Sequence, residues 1–285
     1  MVSRVRRRAA ASQILAFDVG GSFVKAARVD PARGVLLDDV LRVPTPAGAS
    51  PAAVIDLLAD IAGRMPSTGP FGLAFPTVAR QGVAMTAANI DRRWIGTDAR
   101  ALLSARIRRP VAFLNDADAA GLAEMRMGAG RGRGGTVLVV TLGTGIGSAL
   151  FADGRLVPNT ELGHLQVGSE EAEQRASARV RVERGLSWQE WAAEVNVVLA
   201  EMHRLLWPDL FIIGGGVTEN WDQFGSLLSN PAEIVVARHG NDAGLIGAAM
   251  AAVELKESGP RPRQTRGRVA AGTRSKRGRL PVRRK

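Results

Sequence analysis

Two stretches decide the fold: ILAFDVGGSFVKAARVD, residues 14–30, and VLVVTLGTGIGSALFAD, residues 137–153. Superposed at an offset of 123 residues, they match an apolar run, a glycine turn, a second apolar run and a closing Asp. The first reads as a hairpin, and Thr136 to Leu142 as a buried strand leading into the second turn. Any two hairpins with glycine turns share this much. The alternative is a pair of related α/β halves whose glycine turns face one cleft, with a boundary near residue 114.

The flanking sequence supports α/β layers. PAAVIDLLADIAGRM has helical apolar spacing, with Ser50 placed to cap it and Pro51 at its first position. Phe71 to Phe75, Val111 to Leu114 and Leu210 to Ile213 are strand candidates, while 118–127 and 186–206 have helical character. Strands alternating with helices predict an α/β fold.

The 285 residues carry a formal charge of +11, but that charge sits at the ends. Residues 258–285 hold eleven Lys and Arg and no acid, and residues 1–8 hold four Arg and no acid, so 9–257 carries a net −4. The tail has too few apolar residues to offset the entropy of ordering it, and is expected to be disordered. Residues 1–13 read as a basic leader rather than a signal peptide, because Ser12 and Gln13 interrupt the apolar segment. With no cysteine, disulfides, thiolate metal sites and cysteine nucleophiles are excluded, which fits a reducing cytoplasm. No run is long enough to span a membrane as a helix.

Chemistry concentrates at strand ends. Asp18, Gly20, Gly21 and Ser22 form a turn in which bare backbone can approach a phosphate, with Lys25 as a nearby cation and Asp18 able to hold Mg²⁺ directly or through water. An ordinary hairpin with an exposed Lys would read the same way. The second turn, from Gly143 through Thr144 and Gly145 to Gly147, lacks the Gly-Lys-Ser/Thr ending of a P-loop and is followed by strand rather than helix, so neither common nucleotide motif applies. Gly214, Gly215 and Gly216 follow a third strand, under a base or at a close helix contact.

Asn115 and Asp116 follow the run VAFL, where a carboxylate at a strand's carboxyl end faces the ligand crevice. Asp116 suits a general base for an attacking hydroxyl. Locally, Asp116 or Asp118 reads equally as the N-cap of the helix that follows. Glu161 and His164, three apart in a glycine-containing turn, and Asn89 can bridge sugar hydroxyls, although lone His and loop Asn residues are commonly structural.

Taken together, FDVGGSFVKAA, NDADAAGLAEM, LGTGIGSALF and VPNTELGHL, in this order, resemble the ROK family of sugar kinases, and within it the bacterial polyphosphate glucokinases. The resemblance spans about 14–252. It implies a two-domain actin-like ATPase (ribonuclease H-like) fold with a cleft between domains 14–114 and 115–257. It also implies phosphoryl transfer from inorganic polyphosphate, and from ATP, to the 6-hydroxyl of glucose. By position, Asp116 is then the base, and Asn89, Asn115, Glu161 and His164 hold the sugar. Asp18, Gly20, Gly21, Ser22, Thr144 and Gly145 surround the phosphate and its Mg²⁺, and Gly214–Gly216 lie by the adenosine. The absent cysteines argue against the zinc that many members carry, and the resemblance implies a homodimer.

Ser22 stands where Thr is usual, Ala26 where Gly is common, and Phe23 is bulkier than usual, which bears on donor fit. Polyphosphate needs a basic track, for which Arg126, Arg131 and Arg133 are candidates beside a solvated-linker reading. A strictly ATP-dependent hexose kinase would share nearly all these residues. A nucleic-acid-associated protein on an idle kinase body rests on the tail alone, which would bind polyanions non-specifically.

Overall fold

The computed structural model describes residues 13–67, 69–87 and 90–258. Nearly all of the expected tail and of the leader, and Asn89, therefore lie outside the described residues.

Both quoted stretches fold as hairpins with matching boundaries. β1 (Ile14–Val19) pairs antiparallel with β2 (Phe23–Asp30), which also pairs with β3 (Val35–Leu36) and β4 (Leu41–Pro44). β5 (Phe71–Phe75) lies parallel beside β1. A small ribbon of β6 (Ala79–Arg80) and β7 (Val83–Ala84) follows, and β8 (Val111–Asn115) completes the sheet parallel to β5.

In the second half, β9 (Thr136–Leu142) pairs antiparallel with β10 (Ile146–Ala152), and β10 with β11 (Arg155–Val157). After the ribbon β12 (Gln166–Val167) and β13 (Glu170–Glu171), β14 (Leu210–Gly214) and β15 (Glu233–Val236) add in parallel. The strand orders β3-β2-β1-β5-β8 and β11-β10-β9-β14-β15 are the same topology written twice. The repeat in the sequence is thus a repeat of structure, β1 and β2 answering to β9 and β10.

The helices are α1 (Pro51–Arg64), α2 (Ala99–Ile107), α3 (Asp116–Met127), α4 (Ala172–Ala176), α5 (Ala178–Glu183), α6 (Trp188–Leu206), α7 (Trp221–Phe224) and α8 (Ala243–Ser258). Ser50 Oγ caps α1 by accepting from Ala53 N–H, with Pro51 at the first turn. α6 begins with a reciprocal capping box between Ser187 and Glu190, and turns Trp191, Val195, Val198, Leu199 and Met202 onto the second sheet.

α1 and α2 cover the outer face of the first sheet, and α6 covers that of the second. Between the sheets lie α3 and α8, which pack on each other; α8 returns to β1, β5 and β8, while α3 reaches β9 and β10. The result is five layers, α/β/α/β/α. Among the described residues no helix is long and apolar enough to cross a membrane.

Candidate active site

The two glycine turns end β1 and β9 on the same side of the molecule, and a cavity of about 670 Å³ opens between them. Its walls include Gly20, Gly21, Lys25, Asn115, Asp116, Thr144, Gly145, Glu161 and His164. A smaller cavity of about 150 Å³ adjoins it, with Asp18, Lys25, Asp116, Gly214 and Gly215 in its lining. The structure therefore brings twelve of the candidates into one continuous space: these nine together with Asp18, Gly214 and Gly215. Ser22 lies exposed on the outer side of its turn, and Gly216 is also outside the lining.

Asp116 sits where β8 passes into α3. The local reading of Asp116 or Asp118 as the helix cap is corrected: Asn115 is the cap, its Oδ1 accepting from Asp118 N–H at 3.0 Å. The cap residue must be extended while its side chain folds back over the first turn, and Asn115 alone meets both conditions. Asp116 is left with one contact from its own helix, accepting from Ala117 N–H at 2.8 Å. Burial, then the nearby Asp18 carboxylate and more weakly Glu161, push the Asp116 carboxyl up to about 7. Asn115 also donates Nδ2–H to Thr77 O at 3.1 Å, so most of its amide is engaged in joining β8 to the loop after β5.

Lys25 bridges the halves. Its Nζ lies 3.1 Å from Asp18 Oδ2 and donates to Asn241 O at 3.0 Å. The first turn is pinned from β4: Thr45 Oγ1 donates to Gly20 O at 2.7 Å, and Thr45 N–H to Ser22 O. Gly215 separates the two cavities at φ +89°, and a Cβ there would overlap the backbone of Leu142, so no other residue fits.

On the far wall, burial raises the Glu161 carboxyl, opposed by His164. His164 Nδ1 lies 2.9 Å from Glu171 Oε2, a bond that raises the imidazole above its ordinary value despite partial burial. Ser148 organises the turn before them: its Oγ donates to Thr160 O at 2.6 Å and accepts from Leu162 N–H.

Several residues in or behind the walls were not legible in the sequence. Glu173 lines the cavity and packs on Gly145, but in EEAEQ it reads as one more solvated acid at a helix start. Thr77, almost fully buried, donates Oγ1–H to Thr86 O at 2.7 Å and shapes the wall opposite the glycine turns. Asn159, at φ +61°, clasps the two halves: its Oδ1 accepts from Ala79 N–H at 2.7 Å and its Nδ2 donates to Ala79 O at 3.1 Å. The buried Asp118 holds Asn159 in turn, accepting from its N–H at 2.8 Å.

Asn159→Gly keeps the left-handed backbone and removes only the clasp. It is expected to raise KM for the sugar acceptor about tenfold while leaving KM for the donor within about twofold, the loss of one two-bond contact. Steady-state kinetics in each substrate measures this split; equal changes in both constants would mean that the clasp does not position the sugar wall.

The proposed basic track does not assemble at the cleft. Arg126 pairs with Glu254 and Arg133 with Glu233, and neither these nor the exposed Arg131 lines either cavity.

Residues 14–180 match the ROK family. A polyphosphate glucokinase of Mycobacterium tuberculosis (strain CDC 1551 / Oshkosh) is 46% identical over 237 residues, covering 83% of this chain and 89% of that protein. The crystal structure of an inorganic polyphosphate/ATP-glucomannokinase from Arthrobacter sp. strain KM superposes with a TM-score of 0.81 at 44% identity, over 87% of this chain and all of the other. A ROK family glucokinase from Streptomyces griseus, in complex with glucose and AMPPNP, shares the fold with a TM-score of 0.73 at 24% identity, over 85% of this chain and all of its own. On these grounds the five-layered body is an actin-like ATPase fold, and the chain belongs to the ROK family of sugar kinases.

Proposed function

We propose that this chain transfers the terminal phosphoryl group of inorganic polyphosphate, and of ATP, to the 6-hydroxyl of glucose. The observation that carries the reading is the meeting, in one cleft, of a half-buried carboxyl pushed up to about 7 with two glycine turns on one side and a Glu–His wall on the other. A base near neutrality takes the hydroxyl proton most effectively at working pH. The glycine turns supply backbone N–H groups to phosphoryl oxygens, and Lys25 adds a positive charge beside them. Glu161, His164 and Glu173 offer acceptors and a donor to sugar hydroxyls, with Asn115 at the boundary between sugar and phosphate.

The Asp18 carboxylate, near the end of β1, offers oxygen ligands suited to a hard divalent cation and is the residue to hold Mg²⁺, directly or through water, leaving Asp116 free as the base. Such an ion neutralises charge on the transferring group. The named relatives support the choice of glucose and polyphosphate, and a cytoplasmic setting goes with these substrates.

The test is formation of glucose 6-phosphate by purified protein with Mg²⁺ and either donor. Product is expected from both donors; product from ATP alone would overturn the polyphosphate assignment, and product from neither would overturn the kinase reading.

A further inference from the structure

The donor assigned above is a long polyanion in one case and a nucleotide in the other, and two flanks of the cleft differ in charge. One is the smaller cavity, whose lining includes Asp18, Asp116, Glu124, Gly215 and Asn241. Its three carboxylates outnumber its one cation, Lys25, which makes it a poor path for a chain of phosphates, whereas an adenosine is neutral. The other is the edge of the first sheet beside Lys25, where Phe23 and Arg42 stand outside the lining of both cavities.

There the register of β2 and β4 sets Lys25 directly opposite Arg42. Opposed residues of an antiparallel pair share a face, with Cβ atoms about 5 Å apart. That face also carries Phe23, two residues from Lys25, and the Arg42 guanidinium stacks over its ring at 5.0 Å from the centroid. Phe23 is 42% exposed. No carboxylate of the described residues lies within 4 Å of Arg42, in contrast to Arg126 and Arg133. An exposed ring next to a phosphate turn, fixing an arginine that no carboxylate of the described residues neutralises, leaves the guanidinium edge available for bidentate contact with phosphate.

We infer that Arg42, seated on Phe23 and continuing the line of the Gly20–Gly21 turn and Lys25, forms an outer subsite for the non-transferred phosphates of a polyphosphate donor. The inference rests on the polyphosphate reading above. It also assigns a use to the bulky Phe23, and moves the basic track from Arg131 and its neighbours to β4.

The experiment is steady-state kinetics at saturating glucose with long-chain polyphosphate, tripolyphosphate and ATP, on wild type, Arg42→Gln and Phe23→Leu. Arg42 is exposed on an edge strand, so its replacement leaves the core intact. Arg42→Gln is expected to raise KM for long-chain polyphosphate about tenfold, the size of one lost charge-assisted contact, with KM for ATP within about twofold. Phe23→Leu should shift the same constant in the same direction by less. Added salt should weaken long-chain binding less in Arg42→Gln than in wild type.

Equal changes for ATP and long-chain polyphosphate, or none for either, would overturn the subsite. If wild type does not turn over polyphosphate, the donor assignment fails separately. The subsite is then read from inhibition of ATP-driven turnover by long-chain polyphosphate: weaker inhibition of Arg42→Gln supports it, and equal inhibition of both proteins overturns it.

Discussion

Asp116→Asn is expected to lower kcat for glucose phosphorylation by about 10²- to 10⁴-fold, the range a general base contributes, and at the same time to make the protein more stable. The two effects share one cause. Burial and the neighbouring Asp18 carboxylate raise the Asp116 carboxyl from its ordinary 3.8 to about 7, so the folded chain holds the ionised form less well than the unfolded chain does.

For a group whose folded value lies above its unfolded one, this cost is present in full above the folded value. It fades as pH falls between the two. Asn removes the charge, so Asp116→Asn should melt several degrees higher than wild type at about pH 8, with the gain shrinking toward pH 4. Activity and thermal melting on the same two proteins measure both. A variant that loses activity and stability together would show that Asp116 is a structural residue.

Gly247→Ala is expected to destabilise the fold by about 3 kcal/mol, at the upper end of what overpacking costs. Gly247 lies on α8 where it crosses α3, and a Cβ at this position would overlap the carbonyl group of Ala119. The obstacle is helix backbone, which cannot rotate aside as a side chain can. Since α3 carries Asp116 at its first turn and α8 binds the first sheet, separating the two helices loosens the contact that sets the halves against each other. Urea unfolding should show a lower midpoint with an unchanged slope. A wild-type midpoint for Gly247→Ala would contradict this packing.

The same crossing explains what the sequence concealed. α6 was legible as helix over 186–206, because one of its faces meets water and the other is apolar. α8 gave no such sign: it is enclosed between the sheets, has no polar face to create a period, and carries Gly244 and Gly247, which count against helix in any local reading. The hairpins were legible because a strand, a glycine turn and a return strand are local, and their repetition carried the duplicated topology with it.

Among site residues, those beside glycines or at strand ends could be found from the chain alone. Glu173 and Thr77 could not, since each enters the cleft through tertiary packing, nor could Asn159, which braces the two halves from outside the lining. Arg126 and Arg133 show the converse, standing in ion pairs outside the cavity linings. A basic cluster in a glycine-rich segment looks free in sequence, while Glu233 and Glu254, roughly a hundred residues away, neutralise it in the fold.

The most direct test of Asp116 as the proton acceptor is the pH dependence of kcat/KM for glucose. A base acts when deprotonated, so the rate should fall on the acid side through an apparent value near 7, and the residual rate of Asp116→Asn should lack that limb. A wild-type kcat/KM that stays level from about pH 8 down to about pH 5 would contradict the assignment.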